Sequence, residues 1–133
     1  MDILEAFIKK LKSEINKERQ VLKAIEEEIY SLAVKKNRLT QEYKELEKLK
    51  LSDSLSLHMK TIRMLSILKS IKSIEEEIKQ KEEEAEKLRI KIKEKNAEKK
   101  AIKNYQEKLK KEKNVKELKV ETQLADESFN RNH

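Results

Sequence analysis

Residues 4–46 read LEAFIKKLKSEINKERQVLKAIEEEIYSLAVKKNRLTQEYKEL, and the apolar positions return in alternating steps of four and three: Leu4, Ile8, Leu11, Ile15, then Leu22, Ile25, Ile29, Leu32, then Leu39, Tyr43 and Leu46. Continued to residue 50, the same seam is polar only at Glu18, Lys36 and Lys50. A repeat of about 3.5 residues falls short of the 3.6 of a straight helix, so the stripe stays on one face only if the helix supercoils around a partner. A second run follows the same spacing through Met64, Ile67, Ile71, Ile74, Ile78, Ala85, Leu88, Ile92, Ile102 and Leu109, interrupted by Lys81, Lys95, Lys99 and Gln106. These two runs predict an all-α coiled coil.

Composition agrees with the period. The 133 residues are 44% charged and 36% hydrophobic, with no Gly, Pro, Cys or Trp. An average chain of this length carries roughly 9 Gly and 7 Pro, the usual material of tight turns, bulges and sheet edges, so β and α/β folds are not expected. Five aromatics, Phe7, Tyr30, Tyr43, Tyr105 and Phe129, suffice for a narrow seam but not for a globular core. Without Cys there is neither a disulfide framework nor a thiolate metal site, and weakly this favours the cytosol. No apolar run approaches the roughly 20 residues of a membrane span, and residues 1–10 alternate apolar and charged side chains instead of forming a signal-peptide core. The chain is expected to be soluble as encoded.

Residues 50–56 place three serines and an aspartate within five positions, between the two runs. Such side chains compete for backbone hydrogen bonds and cap helices, so a turn is expected here. Counting in sevens nevertheless carries the register unbroken from Ile8 through Leu57 and Met64 to Ile92, which an uninterrupted parallel dimeric rod would also obey. The serine cluster and the polar seam at Lys50, Asp53 and Lys60 favour an antiparallel helical hairpin: a first helix over 1–50, a turn over 51–56, a longer overhanging second helix over 57–124, and a frayed tail over 125–133. At 1.5 Å per residue the first helix is about 70 Å long. Positions whose numbers add to about 108 then face each other, which sets Lys81 near Glu27 and Lys95 near Glu14. These seam lysines either meet those acids or snorkel to water.

Charge is uneven along the chain. Residues 87–119 hold 14 Lys/Arg and 5 Glu, a local +9, whereas the rest of the chain is −2 and residues 75–86 hold seven Glu against Lys79 and Lys81. Such blocks are either solvated faces or docking surfaces for an acidic partner. Nucleic acid is the generic anion, but the segment has one aromatic, Tyr105, and no base-reading module. Residues 57–78 carry more apolar side chains than one seam needs, because Ile62, Leu65 and Leu68 join Met64, Ile67, Ile71, Ile74 and Ile78. The surplus is exposed, covered by uneven wrapping of the first helix, or bound to another protein. Chemistry is nearly absent: there is no glycine loop for phosphate, no His pair at metal spacing, and no nucleophile, His and acid set for a pocket. No cofactor or metal and no enzymatic activity are expected.

The segment RIKIKEKNAEKKAIKNYQEK, residues 89–108, resembles the second helix of the FliJ family of flagellar export proteins, related to the YscO-type proteins of virulence secretion. Arg89, Ile92, Glu98, Lys99, Lys100, Ile102 and Tyr105 fit its pattern without a gap, which Lys95 and Lys103 depart from. The ending with Asp126 and Glu127 before a basic residue, here Arg131, is similar to the family's acidic close. The resemblance implies a cytoplasmic antiparallel coiled coil that serves as a stalk in a type III export machine. It would bind a hexameric export ATPase through the end carrying both termini, with Arg89, Glu98, Lys99, Lys100, Asp126 and Glu127 as the residues concerned. It would meet the membrane-embedded export gate, and escort export chaperones, through Ile62, Leu65, Leu68 and Ile71. Two other readings stay open: a basic coil that binds nucleic acid, and a purely structural homodimeric rod.

Overall fold

A computed structural model describes residues 2–131, with side-chain environments through residue 128. Two helices, α1 (Ile3–Lys48) and α2 (Ser54–Arg131), pack against each other as an antiparallel hairpin, and the described residues contain no strand. Asp2 starts α1: its Oδ1 accepts the Leu4 amide at 3.3 Å and its carbonyl accepts the Ala6 amide at 3.1 Å. Without Gly or Pro nothing in either helix breaks the i to i−4 ladder, so both run to unusual length.

The reversal occupies residues 49–53, earlier than the expected turn over 51–56. Asp53 is the N-cap of α2, with Oδ2 accepting the Ser56 amide at 3.2 Å and the Ser56 hydroxyl at 2.9 Å, while its carbonyl receives the Leu57 amide at 3.0 Å. Ser54, Leu55 and Ser56 therefore form the first helical turn. Lys60 Nζ donates to the Leu49 carbonyl at 2.9 Å, bracing the linker. No described residue has positive φ, so the chain turns back without the left-handed backbone that glycine would supply.

Two compact units make up the chain. In the unit Lys17–Ile92, Ile67, Ile74 and Ala85 are buried. Around them Leu22, Ile25, Ile29, Leu32, Leu39, Tyr43 and Leu46 of α1, and Met64, Ile71, Ile78, Leu88 and Ile92 of α2, are half-buried at the predicted spacing. The other unit joins the chain up to Asn16 with Lys93 onward; Leu11 and Ile15 are its buried residues, and Leu4, Ile8 and Ile102 are half-buried. No described polar or charged residue is buried.

Three pairs share one register, with residue numbers adding to 109: Leu49 with Lys60, Glu28 with Lys81, and Glu14 with Lys95. Lys95 Nζ lies 3.3 Å from Glu14 Oε2, the partner expected, whereas Lys81 contacts Glu28 instead of the expected Glu27. The Lys81 and Lys95 side chains are largely covered, so each places its stem in the seam and its ammonium on a carboxylate at the rim. Lys36 meets Glu75 in the same manner at 3.2 Å.

Two boundaries differ from expectation at the far end. Leu109, assigned to the seam, is 41% exposed, because α1 begins at Ile3 and the register leaves nothing opposite it. The tail expected to fray from residue 125 is helical through Arg131, and Thr122 Oγ1 donates to the Leu118 carbonyl at 2.9 Å within it. The remainder of that expected tail, residues 132 and 133, lies outside the described residues.

Candidate docking surfaces

The surplus apolar side chains of α2 divide by angle. Met64, Ile67, Ile71 and Ile74 sit on the seam, with Ile67 wholly buried, whereas Ile62, Leu65 and Leu68 are exposed at 54%, 58% and 45%. Uneven wrapping by α1 does not cover them. Leu55 and Met59 are exposed nearby and extend the band toward the linker. Ile71, which the spacing puts on the seam and the resemblance groups with the docking residues, is half-buried and is a seam residue. Ile62, Leu65, Ser66, Leu68, Lys69 and Lys72 line a shallow open depression on this surface.

The motif residues of the basic helix do not form one patch. Arg89 is engaged within its own unit, Nη2 to Glu26 Oε1 at 3.4 Å across the helices and Nη1 to Glu86 Oε2 at 3.3 Å along α2. Glu98 and Lys100 face solvent, while Lys99 is half-buried at a seam position. Asp126 and Glu127 are exposed, but 26 residues of continuous helix put Asp126 about 40 Å along the axis from Lys100. The side chain of Arg131, the basic residue expected after that pair, lies outside the described ones.

Beyond residue 106 every α2 side chain through residue 128 is exposed. This uncovered segment carries Lys108, Lys110, Lys111, Lys113, Lys116 and Lys119 interleaved with exposed Leu109, Val115, Leu118, Val120 and Leu124. Of the +9 over residues 87–119, +6 lies on 87–106, opposite α1, and +3 on the uncovered helix; Glu121, Asp126 and Glu127 then bring the exposed residues 107–128 to a net charge of zero.

Sequence reasoning missed the contact that anchors the linker end. Arg63 donates from Nε to Glu42 Oε1 and from Nη2 to Glu42 Oε2, each at 2.9 Å, a two-point fork across the helices. The available signal was the register itself, which brings Glu42 within reach of Arg63. The Asp53 carboxyl is held below its usual range by the hydrogen bond from the Ser56 hydroxyl, then by the Ser56 amide. Lys81 is pushed up by its hydrogen bond and charge pairing with Glu28.

Among the described residues no group of three His, Cys, Asp or Glu side chains is arranged to hold a metal ion, and no helix is long and apolar enough to cross a membrane. Compared with protein-family models, with curated proteins and with solved structures, the chain matches none.

Proposed function

We propose that the chain is a non-enzymatic stalk of a flagellar type III protein export apparatus, cytoplasmic and held peripherally at the membrane. It binds a hexameric export ATPase ring through the basic part of α2 and the export gate through the exposed band at Ile62, Leu65 and Leu68. Escort of export chaperones belongs to the same reading. The observation that carries it is the local +9 of α2 over residues 87–119, six of whose lysines stand on helix beyond the end of α1, a basic stretch suited to an acidic lumen. The resemblance of residues 89–108 to the FliJ family supplies the identity of the partner, and the hairpin is the architecture that this family implies.

A stalk that prefers the assembled ring to its subunits stabilises the ring by mass action and so raises ATP hydrolysis without performing chemistry. The test is ATP hydrolysis by an export ATPase with and without this chain. Stimulation that weakens as salt rises, and weakens further in a folded Lys100→Glu variant, is the expected result. Equal hydrolysis with and without the chain rejects the reading. The same basic segment also supports a second one, non-specific binding of nucleic acid, for which binding falls steeply between low and moderate salt in the absence of any ATPase.

A further inference from the structure

The band on α2 has a property that its apolar content alone does not reveal. Residues 54–74 contain no acidic side chain, although Asp53 precedes them and Glu75, Glu76 and Glu77 follow. Four basic residues fall within them, Lys60, Arg63, Lys69 and Lys72. Two are occupied: Lys60 by the Leu49 carbonyl and Arg63 by Glu42. Lys69 and Lys72 are exposed, and neither forms an ion pair with a described residue.

The seven-residue register places these groups. Leu55, Ile62 and Lys69 follow one line directly opposite the seam, and His58, Leu65 and Lys72 follow the adjacent line. Met59 lies on the other flank, and all seven side chains are exposed. The outward face of α2 is thus aliphatic over its first turns and cationic over the next, about 25 Å from end to end. It turns away from α1, and its hollow is the shallow open one lined by Ile62, Leu65, Ser66, Leu68, Lys69 and Lys72.

Protein hot spots favour Trp, Tyr and Arg seated in pockets, and protein interfaces are depleted of lysine. This face offers Leu, Ile, Met and Lys, with no Trp, Tyr or free Arg, on a single helix. An amphipathic helix lying in a membrane interface has the matching chemistry: aliphatic side chains enter the headgroup and acyl boundary while lysines reach lipid phosphates. We propose that this outward face of α2 rests on an anionic membrane surface, with Leu55, Met59, Ile62 and Leu65 inserted and Lys69 and Lys72 against phosphate headgroups. The proposal gives Ile62 and Leu65 to lipid in place of the gate contact proposed above, and it does not depend on the ATPase part of that reading.

Cosedimentation of the full chain with phosphatidylcholine vesicles, with and without phosphatidylglycerol, tests it. Binding is expected only to the anionic vesicles. At about 1 kcal/mol per surface lysine, Lys69→Gln with Lys72→Gln should weaken partition about thirtyfold. Ile62→Ser with Leu65→Ser, at unchanged charge, should weaken it about tenfold or more. Since the chain is basic elsewhere, Lys108→Gln with Lys111→Gln is the decisive control. An equal loss from that pair would mean general charge attraction and would overturn the proposal. Equal binding to neutral vesicles, or no binding to either, also overturns it. If the vesicles fail but Leu65→Ser abolishes capture of a gate protein, the face belongs to a protein partner. Circular dichroism checks folding of each variant, and the lysine pair, being fully at the surface, keeps the test open if the apolar pair unfolds.

Discussion

Arg63 grips Glu42 at two points, Nε on one carboxylate oxygen and Nη2 on the other, both at 2.9 Å. The pair joins the helices one turn beyond the braced linker and is half-exposed. Solvent screening limits its worth, so a double-mutant cycle with Arg63→Ala and Glu42→Ala should return a coupling of about 0.5–1 kcal/mol, the upper part of the range for exposed pairs. Denaturant titration of the four proteins gives this value, and a coupling indistinguishable from zero would make the fork a passenger.

Cysteines replacing Leu46 and Met64 test the hairpin directly. Both native side chains are half-buried on the seam near the reversal, and in the register described they lie within one position of facing each other. In dilute oxidised protein the disulfide should form within one chain. A disulfide-linked dimer as the sole product would instead require the parallel rod.

Seam and outward face should respond oppositely to truncation. Ile67 is 0% exposed, and Ile67→Ala should destabilise by about 2–5 kcal/mol through lost burial and the cavity left behind. Leu65→Ala, at an exposed position two residues away, should change stability by no more than about 0.5 kcal/mol. Thermal melting of the two variants distinguishes them, and equal losses would show that Leu65 is covered.

The α2 cap should impose a pH dependence. The folded Asp53 carboxyl titrates below its usual value because Ser56 donates to the ionised form. Its contribution is therefore present above the unfolded pKa of about 3.9 and disappears as pH falls through the lower folded value. Asp53→Ala should lower Tm at neutral pH and lose that deficit in strong acid. Lys81, with its pKa raised, has the opposite sign: its contribution is present at neutral pH and lost as pH climbs past about 10.4 through the higher folded value. A Tm difference for Asp53→Ala that persists unchanged in strong acid would assign the effect to something other than the carboxylate.

How much was legible in the sequence depends on whether a feature is periodic. The seam, the helix pair and the meeting of Lys95 with Glu14 follow from a 3.5-residue repeat, which averages over many positions and tolerates single exceptions. The linker does not average. Its serines read as loop, yet Asp53 captures Ser56 and draws the cluster into the first turn of α2. Lys81 reaches Glu28 instead of Glu27 because a long side chain selects its partner by rim geometry, which residue numbering resolves only to within a position. Ile71 carries two assignments from the sequence, seam by its spacing and docking with Ile62, Leu65 and Leu68 by the resemblance, and its half-buried position bears out the spacing. The sequence motif beginning at Arg89 likewise conceals that Arg89 is already engaged by two carboxylates and that Lys99 is half-covered.

Deletion from residue 114 onward should leave the melting temperature nearly unchanged, since the residues described there are all exposed and none packs on α1. Far-UV circular dichroism should lose only the helix removed. A marked fall in Tm would reveal that the segment is covered in solution.

The uncovered end of α2 also bears on how its order arises. Helix initiation is the unfavourable step and elongation is nearly neutral, so a lysine-rich segment of this length would hold little helix as a free peptide. Here the paired part of α2 acts as a permanent seed from which the remainder extends by elongation alone. Warming should shorten it gradually from its free end, turn by turn, well before the hairpin separates, so the reach of this arm is itself a temperature-graded quantity.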